Sequence, residues 1–321
     1  MNYLDYSKLP AFIEAHYPRL TQHAVAADAA HQDHDYVDLV YFFGEQAVDP
    51  ATVAIEYRDE AFTLNDPLIA GYARETAERM KTEGRLYDGP PVMKLAGADL
   101  TSTNKRLVVQ PCDYALQAGT CLALDVPDKR FAPHGGTLRG YYRNGCAQPS
   151  VANNPLAICL GVCGYLMIEE QGRRFLLQIE RSDKLASLEG QRGPSVAGVV
   201  DYRTDLTDLA QLTRKALTTE IGEEINLRYG EYEIIPLGWG IELFRGERPQ
   251  LFCLIRAPFE RDELKARLDA VDPARREFKS YEFLPLYGGA VLDKKQFEQL
   301  NFEAKMNFLL LEEYLALHRV M

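Results

Sequence analysis

Ala216-Leu217-Thr218-Thr219-Glu220-Ile221-Gly222-Glu223-Glu224-Ile225-Asn226-Leu227 places three carboxylates on a run that reads as the end of a helix. At about 100° per residue, Glu220, Glu223 and Glu224 project from one side, one turn apart. Three acids that close repel each other unless a cation sits among them. A hard divalent ion such as Mg²⁺ resolves the conflict, because it binds through carboxylate oxygens and bridges substrate phosphates. The plainer reading is an exposed acidic turn, common in a chain with 47 Asp and Glu. What surrounds the glutamates separates the two.

With 321 residues, 46% hydrophobic and 26% charged, the chain is long enough for two domains and a sizeable core. No stretch approaches the roughly 18 consecutive apolar residues of a membrane span. The first eight residues, Met1 to Lys8, show no basic region followed by an apolar one, so the expectation is a cytoplasmic protein without a signal peptide. The six cysteines form no CxxC pair, and several lie in apolar runs, where the reduced thiol packs as a small hydrophobe. Cys159 and Cys163 would share one face of a strand as core residues. The net charge of −11 argues against general affinity for nucleic acid. It leaves room for a small phosphorylated ligand that arrives with its own cation and meets a few local arginines.

The pattern divides the chain into an N-terminal α+β domain with a connecting segment, residues 1–150, and a second α/β domain, residues 151–321. The first begins with a short helical pattern at Leu9–His16 and an Ala/His/Asp-rich stretch carrying His23, His31 and His34, read as solvent-facing. A strand at 52–58, a helix at Pro67–Lys81 opened by Asn65-Asp66, and strands at Pro91–Leu95 and Arg106–Pro111 follow. Residues 127–155, rich in Gly, Pro, Asn and Arg, read as a surface loop. The second domain opens with the apolar run Leu156–Ile168, typical of a buried strand. A hairpin return at Arg174–Ile179 ends in Glu180-Arg181-Ser182. Then come Ser195–Val200, a helix at Leu206–Glu224, strands at Glu233–Leu243 and Gln250–Ala257, a helix at Arg261–Leu268, a strand at Glu282–Leu286 and an amphipathic helix at Phe297–Leu317.

This order of elements, together with the acidic helix, resembles the Nudix hydrolases, whose signature is written G-x5-E-x7-R-E-U-x-E-E-x-G-U. Glu220-Ile221-Gly222-Glu223-Glu224-Ile225 matches E-U-x-E-E-x, and Leu227 matches the final aliphatic position. Ahead of it, Pro194-Ser195-Val196-Ala197-Gly198-Val199-Val200-Asp201 resembles the family's strand and Gly-Gly turn, with Ala197 in place of the first glycine. The resemblance covers about residues 153–320. It implies a Nudix-type α/β/α sandwich with a mixed sheet. Three positions depart from the signature: Thr219 stands for the arginine, Asn226 for the glycine, and Gln211 where the first glutamate falls. Gly198 and Thr219 lie 21 positions apart where the pattern expects 14, an insertion of about two helical turns. Asn is the next-best residue for the left-handed conformation that ends a helix, so Asn226 is a mild change. The Glu220, Glu223, Glu224, Asn226, Leu227 ending and the lengthened region before it resemble a subgroup, the animal UDP-glucose pyrophosphatases of this family with an N-terminal domain.

The resemblance implies a hydrolase that cleaves the diphosphate of a nucleoside diphosphate linked to a sugar or similar group, using Mg²⁺ or Mn²⁺. Carried onto this chain, Glu220 and Glu224 are the main metal ligands, and Glu223 is a further ligand or holds a metal-bound water. The carbonyl near Gly198 faces the metal, and Arg181 meets substrate phosphate. Glu282 is one candidate general base, with a plain surface carboxylate as its alternative. Thr219 and Gln211 keep a second reading open, a Nudix-fold module that binds a nucleotide and no longer cleaves it. The implied partner is a small nucleoside diphosphate derivative, with neither nucleic acid nor membrane, and with a homodimer as an open alternative to a monomer.

Overall fold

The computed structural model describes residues 36–100, 102–145, 154–182, 190–243, 245–273, 276–286, 292, 296–297 and 299–318. The Leu9–His16 pattern, the three N-terminal histidines and Cys146 lie outside the described residues. Among the described residues, no helix is long and apolar enough to cross a membrane.

The central element is an eight-stranded mixed sheet. Its main path runs β1 (Tyr36–Tyr41), β9 (Glu233–Glu242), β10 (Arg248–Arg256), β5 (Gly161–Glu170), β6 (Arg173–Arg181) and β11 (Phe278–Leu286). Two short strands branch from it: β7 (Arg192–Gly193) pairs with β6, and β8 (Val196–Val199) pairs with β5. Only β5 and β10 run parallel; the other pairings of this sheet are antiparallel. The apolar run at the start of β5 has a direct cause. Val162, Leu166 and Ile168 face one core cluster, while Cys163, Tyr165 and Met167 face another. Both faces of the strand are covered, so the period-2 alternation of a half-exposed strand is absent. On one face lies α4 (Leu209–Glu224), with Leu209, Leu212, Leu217 and Ile221 buried. The shorter α5 (Arg261–Asp269) adds Leu264 and Leu268 to the same cluster. On the other face lies α6 (Phe302–Leu317), whose Phe302, Met306, Phe308, Leu310 and Leu311 are buried. This is the α/β/α sandwich with a mixed sheet that the sequence reading expects.

Before it stands a smaller α+β region. A three-stranded sheet in the order β2 (Ala54–Tyr57), β4 (Arg106–Cys112), β3 (Val92–Asp99) is backed by α1 (Pro67–Thr82) and α2 (Tyr114–Gly119). Asp66 caps α1, its carboxylate accepting from the backbone N–H groups of Leu68 and Ile69 at 2.8 and 3.2 Å, with Pro67 following as the sequence suggests. β3 is hydrogen-bonded to the larger unit: Met93 N donates to Val200 O at 2.7 Å and Leu160 N to Met93 O at 2.8 Å. One apolar cluster therefore runs from Val53 and Tyr72 through Leu160 and Ile179 to Leu268.

Several local expectations change. The 127–155 segment contains α3 (Leu138–Gly145), and Arg139 on it is fully buried, paired with Asp125 at 2.7 Å and donating to the Leu243 carbonyl at 2.9 Å. His134 packs edge-on against Tyr141, and Arg143 pairs with Glu247 at 2.8 Å, so both are engaged within this packing. β5 begins only at Gly161, so Cys159 sits before the strand, packing with Val92 and Cys112 while Cys163 faces α6. Ala197-Gly198 lies within a strand paired to β5, not in a turn.

Candidate functional site

Helix α4 ends in the acidic stretch, and its terminal residues are placed by capping at both ends. Asp208 accepts from Gln211 N at 2.9 Å at the N-terminus. At the C-terminus Asn226 takes a φ of +60°, the left-handed conformation expected of it, and Leu227 N reaches back to Ile221 O. Leu217, Ile221 and Ile225 face the core. That rotation fixes Glu224 as buried, Glu220 as half-buried and Glu223 as exposed. Gln211 belongs to the N-terminal cap, its amide donating to Asp208 and Thr207, about 13 Å along the helix axis from Glu220.

Glu220 lies against β8 because position 198 carries no side chain. A Cβ built on Gly198 would fall 1.8 Å from Glu220 Oε1 and 2.1 Å from its Cδ. Glu224 Oε1 accepts from Ala197 N at 3.3 Å, while its Oε2 is buried without a partner. One helical turn separates the two carboxyl groups, and the charge of Glu220 bears on Glu224. Burial, then the neighbouring charge of Glu277, holds both well above the ordinary carboxylate range. Glu277 is raised as well, by burial, with Arg181 pulling the other way.

Glu220 and Glu277 line one cavity of about 390 Å³. Glu220, Glu223, Glu277 and Asp201 form an acidic wall, and Arg181, Arg245 and Arg248 face the same space. Arg181 is only 7% exposed, and its Nε and Nη1 have no hydrogen-bond partner. Arg245 and Arg248 are held by buried Glu303, and Arg245 by Glu242 at 2.5 Å. Arg248 Nη2 also donates to the Gly198 carbonyl at 3.3 Å. The carbonyl that the sequence reading turns toward a metal is thus engaged by a guanidinium.

The structure brings Glu220, Glu223, Arg181 and Gly198 to one cavity, with Glu224 against Glu220. Glu282 is not among its lining residues; it pairs with Arg192 on β7. Glu277 takes a place there instead. Its carbonyl accepts from Ser182 N at 2.8 Å, which pins it beside Arg181. Nothing in the local pattern of a charged loop singles it out. The same holds for Arg245, Arg248 and Glu303: the two arginines are close in sequence, but Glu303 lies 58 and 55 positions away and meets them only through the packing of α6. Thr219 does not take over the missing arginine's work: its hydroxyl bonds back to the Lys215 carbonyl at 3.3 Å.

The donors suit a hard divalent cation. They are carboxylate oxygens, mutually repelling, and one is buried with nothing bound to it. As they stand, among the described residues no group of three His, Cys, Asp or Glu is arranged to hold a metal ion. A cation between Glu220 and Glu224 would offset the mutual repulsion of their carboxylates.

No protein-family model and no curated protein matches the chain. Solved structures similar to it include a mutT/nudix family protein from Listeria innocua (18% identity, TM-score 0.33, 50% of this chain and 93% of that one). The Ap4A hydrolase of C. elegans is 14% identical, with a TM-score of 0.31 over 50% of this chain and 98% of that one. The NUDIX domain of Shewanella oneidensis NrtR, solved with ADP ribose, is 14% identical, with a TM-score of 0.34 over 50% and 89%.

Proposed function

We propose that the protein hydrolyses the diphosphate of a nucleoside diphosphate linked to a sugar or similar group, with Mg²⁺ or Mn²⁺ held by Glu220, Glu224 and Glu223. The observation that carries this reading is one cavity in which the α4 carboxylates Glu220 and Glu223, with Glu224 buried behind them, face a buried arginine with two unpaired donors. An anion is required by Arg181 and a cation by the glutamates; a metal-bound diphosphate supplies both.

When bound, such an ion shields the diphosphate charge and stabilises charge on the leaving phosphate. The chain's own contributions are separate from that. Arg181 anchors a phosphate oxygen through Nε and Nη1, and its burial against Gly193 keeps it from following the solvent. Glu277 stands beside Arg181 as a fourth carboxylate, placed to accept a proton from an attacking water. Arg248, locked between Glu303 and two backbone carbonyls, keeps the Gly198 strand in place and adds positive charge to the wall. Of the 1–150 domain, the described residues between 85 and 122 cover this cavity, whereas β1 (Tyr36–Tyr41) joins the sheet of the sandwich.

A second reading, a module that binds the nucleotide without cleaving it, is favoured by Thr219, which leaves Glu220 with no buttressing cation from its own helix. A screen of nucleoside diphosphate sugars, dinucleoside polyphosphates and NADH, with and without Mg²⁺, separates the two. Metal-dependent phosphate-containing products that vanish in the Glu220→Gln/Glu224→Gln variant support hydrolysis. Turnover surviving that variant refutes the site, and thermal stabilisation by a nucleotide without products favours the module.

A further inference from the structure

The cavity has a second half, contributed by residues between Arg85 and Leu122. Tyr87 stands there, 77% exposed, and Tyr114 and Gln117 reach in from α2. The helix is locked. Asp113 caps it by accepting from Ala115 N at 2.8 Å, and Gly119 lies so close to α1 that a Cβ would fall 2.2 Å from the Ala73 carbonyl oxygen. The side chains α2 presents to the cavity are therefore held on rigid backbone.

Gln117 is 1% exposed, and its Oε1 has no hydrogen-bond partner. A buried acceptor left empty costs about 1–3 kcal/mol. Folding alone does not explain it, since a leucine would fill the same place without that cost. The Tyr114 side chain lies in the field of Arg181, Arg245 and Arg248, yet burial outweighs them and keeps its phenol protonated, able to donate or accept. At about 390 Å³ the cavity is at the small end of ligand sites, room for a diphosphate and one compact group.

We propose that α2 is the recognition element for the group attached to the diphosphate, and that this group is a polyhydroxylated sugar bonded through its hydroxyls to Gln117 Oε1 and the Tyr114 hydroxyl. A sugar hydroxyl fits both positions, because it donates to the amide oxygen and either donates to or accepts from the phenol. The inference rests on the diphosphate reading of the carboxylate wall. It assigns the specificity of that site to the region before the sandwich.

The test compares kcat/KM on UDP-glucose and ADP-glucose with kcat/KM on the corresponding nucleoside diphosphate methyl esters, which keep the diphosphate linkage and lack the sugar. Gln117→Leu and, independently, Tyr114→Phe are each expected to lower the value for the better sugar nucleotide about tenfold and to leave its methyl ester within about twofold. Tyr114→Phe removes a single oxygen and keeps the test open should the Gln117→Leu substitution disturb the fold. Equal losses on sugar nucleotide and methyl ester, or no loss on either, overturn the assignment of α2 while the diphosphate reading stands. Wild-type protein that cleaves none of the four compounds with Mg²⁺ overturns the diphosphate reading, and this inference with it.

Discussion

Gly198→Ala is the most informative single perturbation of this molecule, because one methyl group is aimed at one carboxylate. The added Cβ would lie 1.8, 2.1 and 2.7 Å from Oε1, Cδ and Oε2 of Glu220, where ordinary contact begins near 3.4 Å. The three nearest atoms all belong to Glu220, and the backbone of Gly198 does not require a glycine, so the clash falls on that side chain. Glu220 must retreat by more than 1 Å, a displacement that costs on the order of 10²-fold when it moves a catalytic group. The atoms that must move are the far end of a flexible, half-buried side chain, so the cost in stability is smaller than in a packed core, about 1 kcal/mol or less. Urea unfolding at pH 5, where burial and the neighbouring charge of Glu277 keep Glu220 protonated, isolates that steric part. Gly198→Ala is expected to destabilise the wild-type background by about 0.5–1 kcal/mol more than the Glu220→Ala background, a coupling typical of residues in contact. Equal costs in the two backgrounds would refute the placement of Glu220 against β8.

Two further outcomes follow from the described geometry. Asn226→Gly, at a φ of +60°, is expected to be neutral or to raise the melting temperature slightly, whereas Asn226→Val should lose about 1–2 kcal/mol; a Val variant as stable as wild type would contradict the left-handed helix end. Burial pushes the Glu247 carboxyl from 4.5 up to about 7, against the opposing pull of Arg143. The folded state then holds this proton more tightly than the unfolded state. The associated stabilisation is complete below about pH 4.5 and lost as pH rises through about 7, with an upper size of roughly 3 kcal/mol. Wild type should therefore lose about 1–3 kcal/mol more than Glu247→Gln between pH 5 and 8 in denaturant titrations, and parallel curves would exclude the shift.

Much of the secondary structure is legible in the chain because its signals are local. The Asn65-Asp66-Pro67 start, the apolar spacing of α4 and its Asn226 stop depend on neighbours within a few residues, and the elements appear where those signals stand. β1 was not legible. Tyr36–Tyr41 joins the sheet edge through β9, with Val37 opposite Ile241, and its partner is about 200 residues away. Arg139 likewise lies in a stretch with loop composition and is buried only because Asp125 and the Leu243 carbonyl converge on it.

The candidate site divides the same way. The sequence by itself determined that Glu220, Glu223 and Glu224 share one end of a helix, since 3.6 residues per turn leaves no other arrangement. Only the tertiary structure decided which of them are buried, because that depends on how Leu217 and Ile221 meet the sheet. It also decided that Glu277 joins them where Glu282 does not, and that Arg181, Arg245 and Arg248 stand opposite. Burial and charge pairing are properties of contacts between strands and helices distant in the chain, and no spacing along the sequence encodes them.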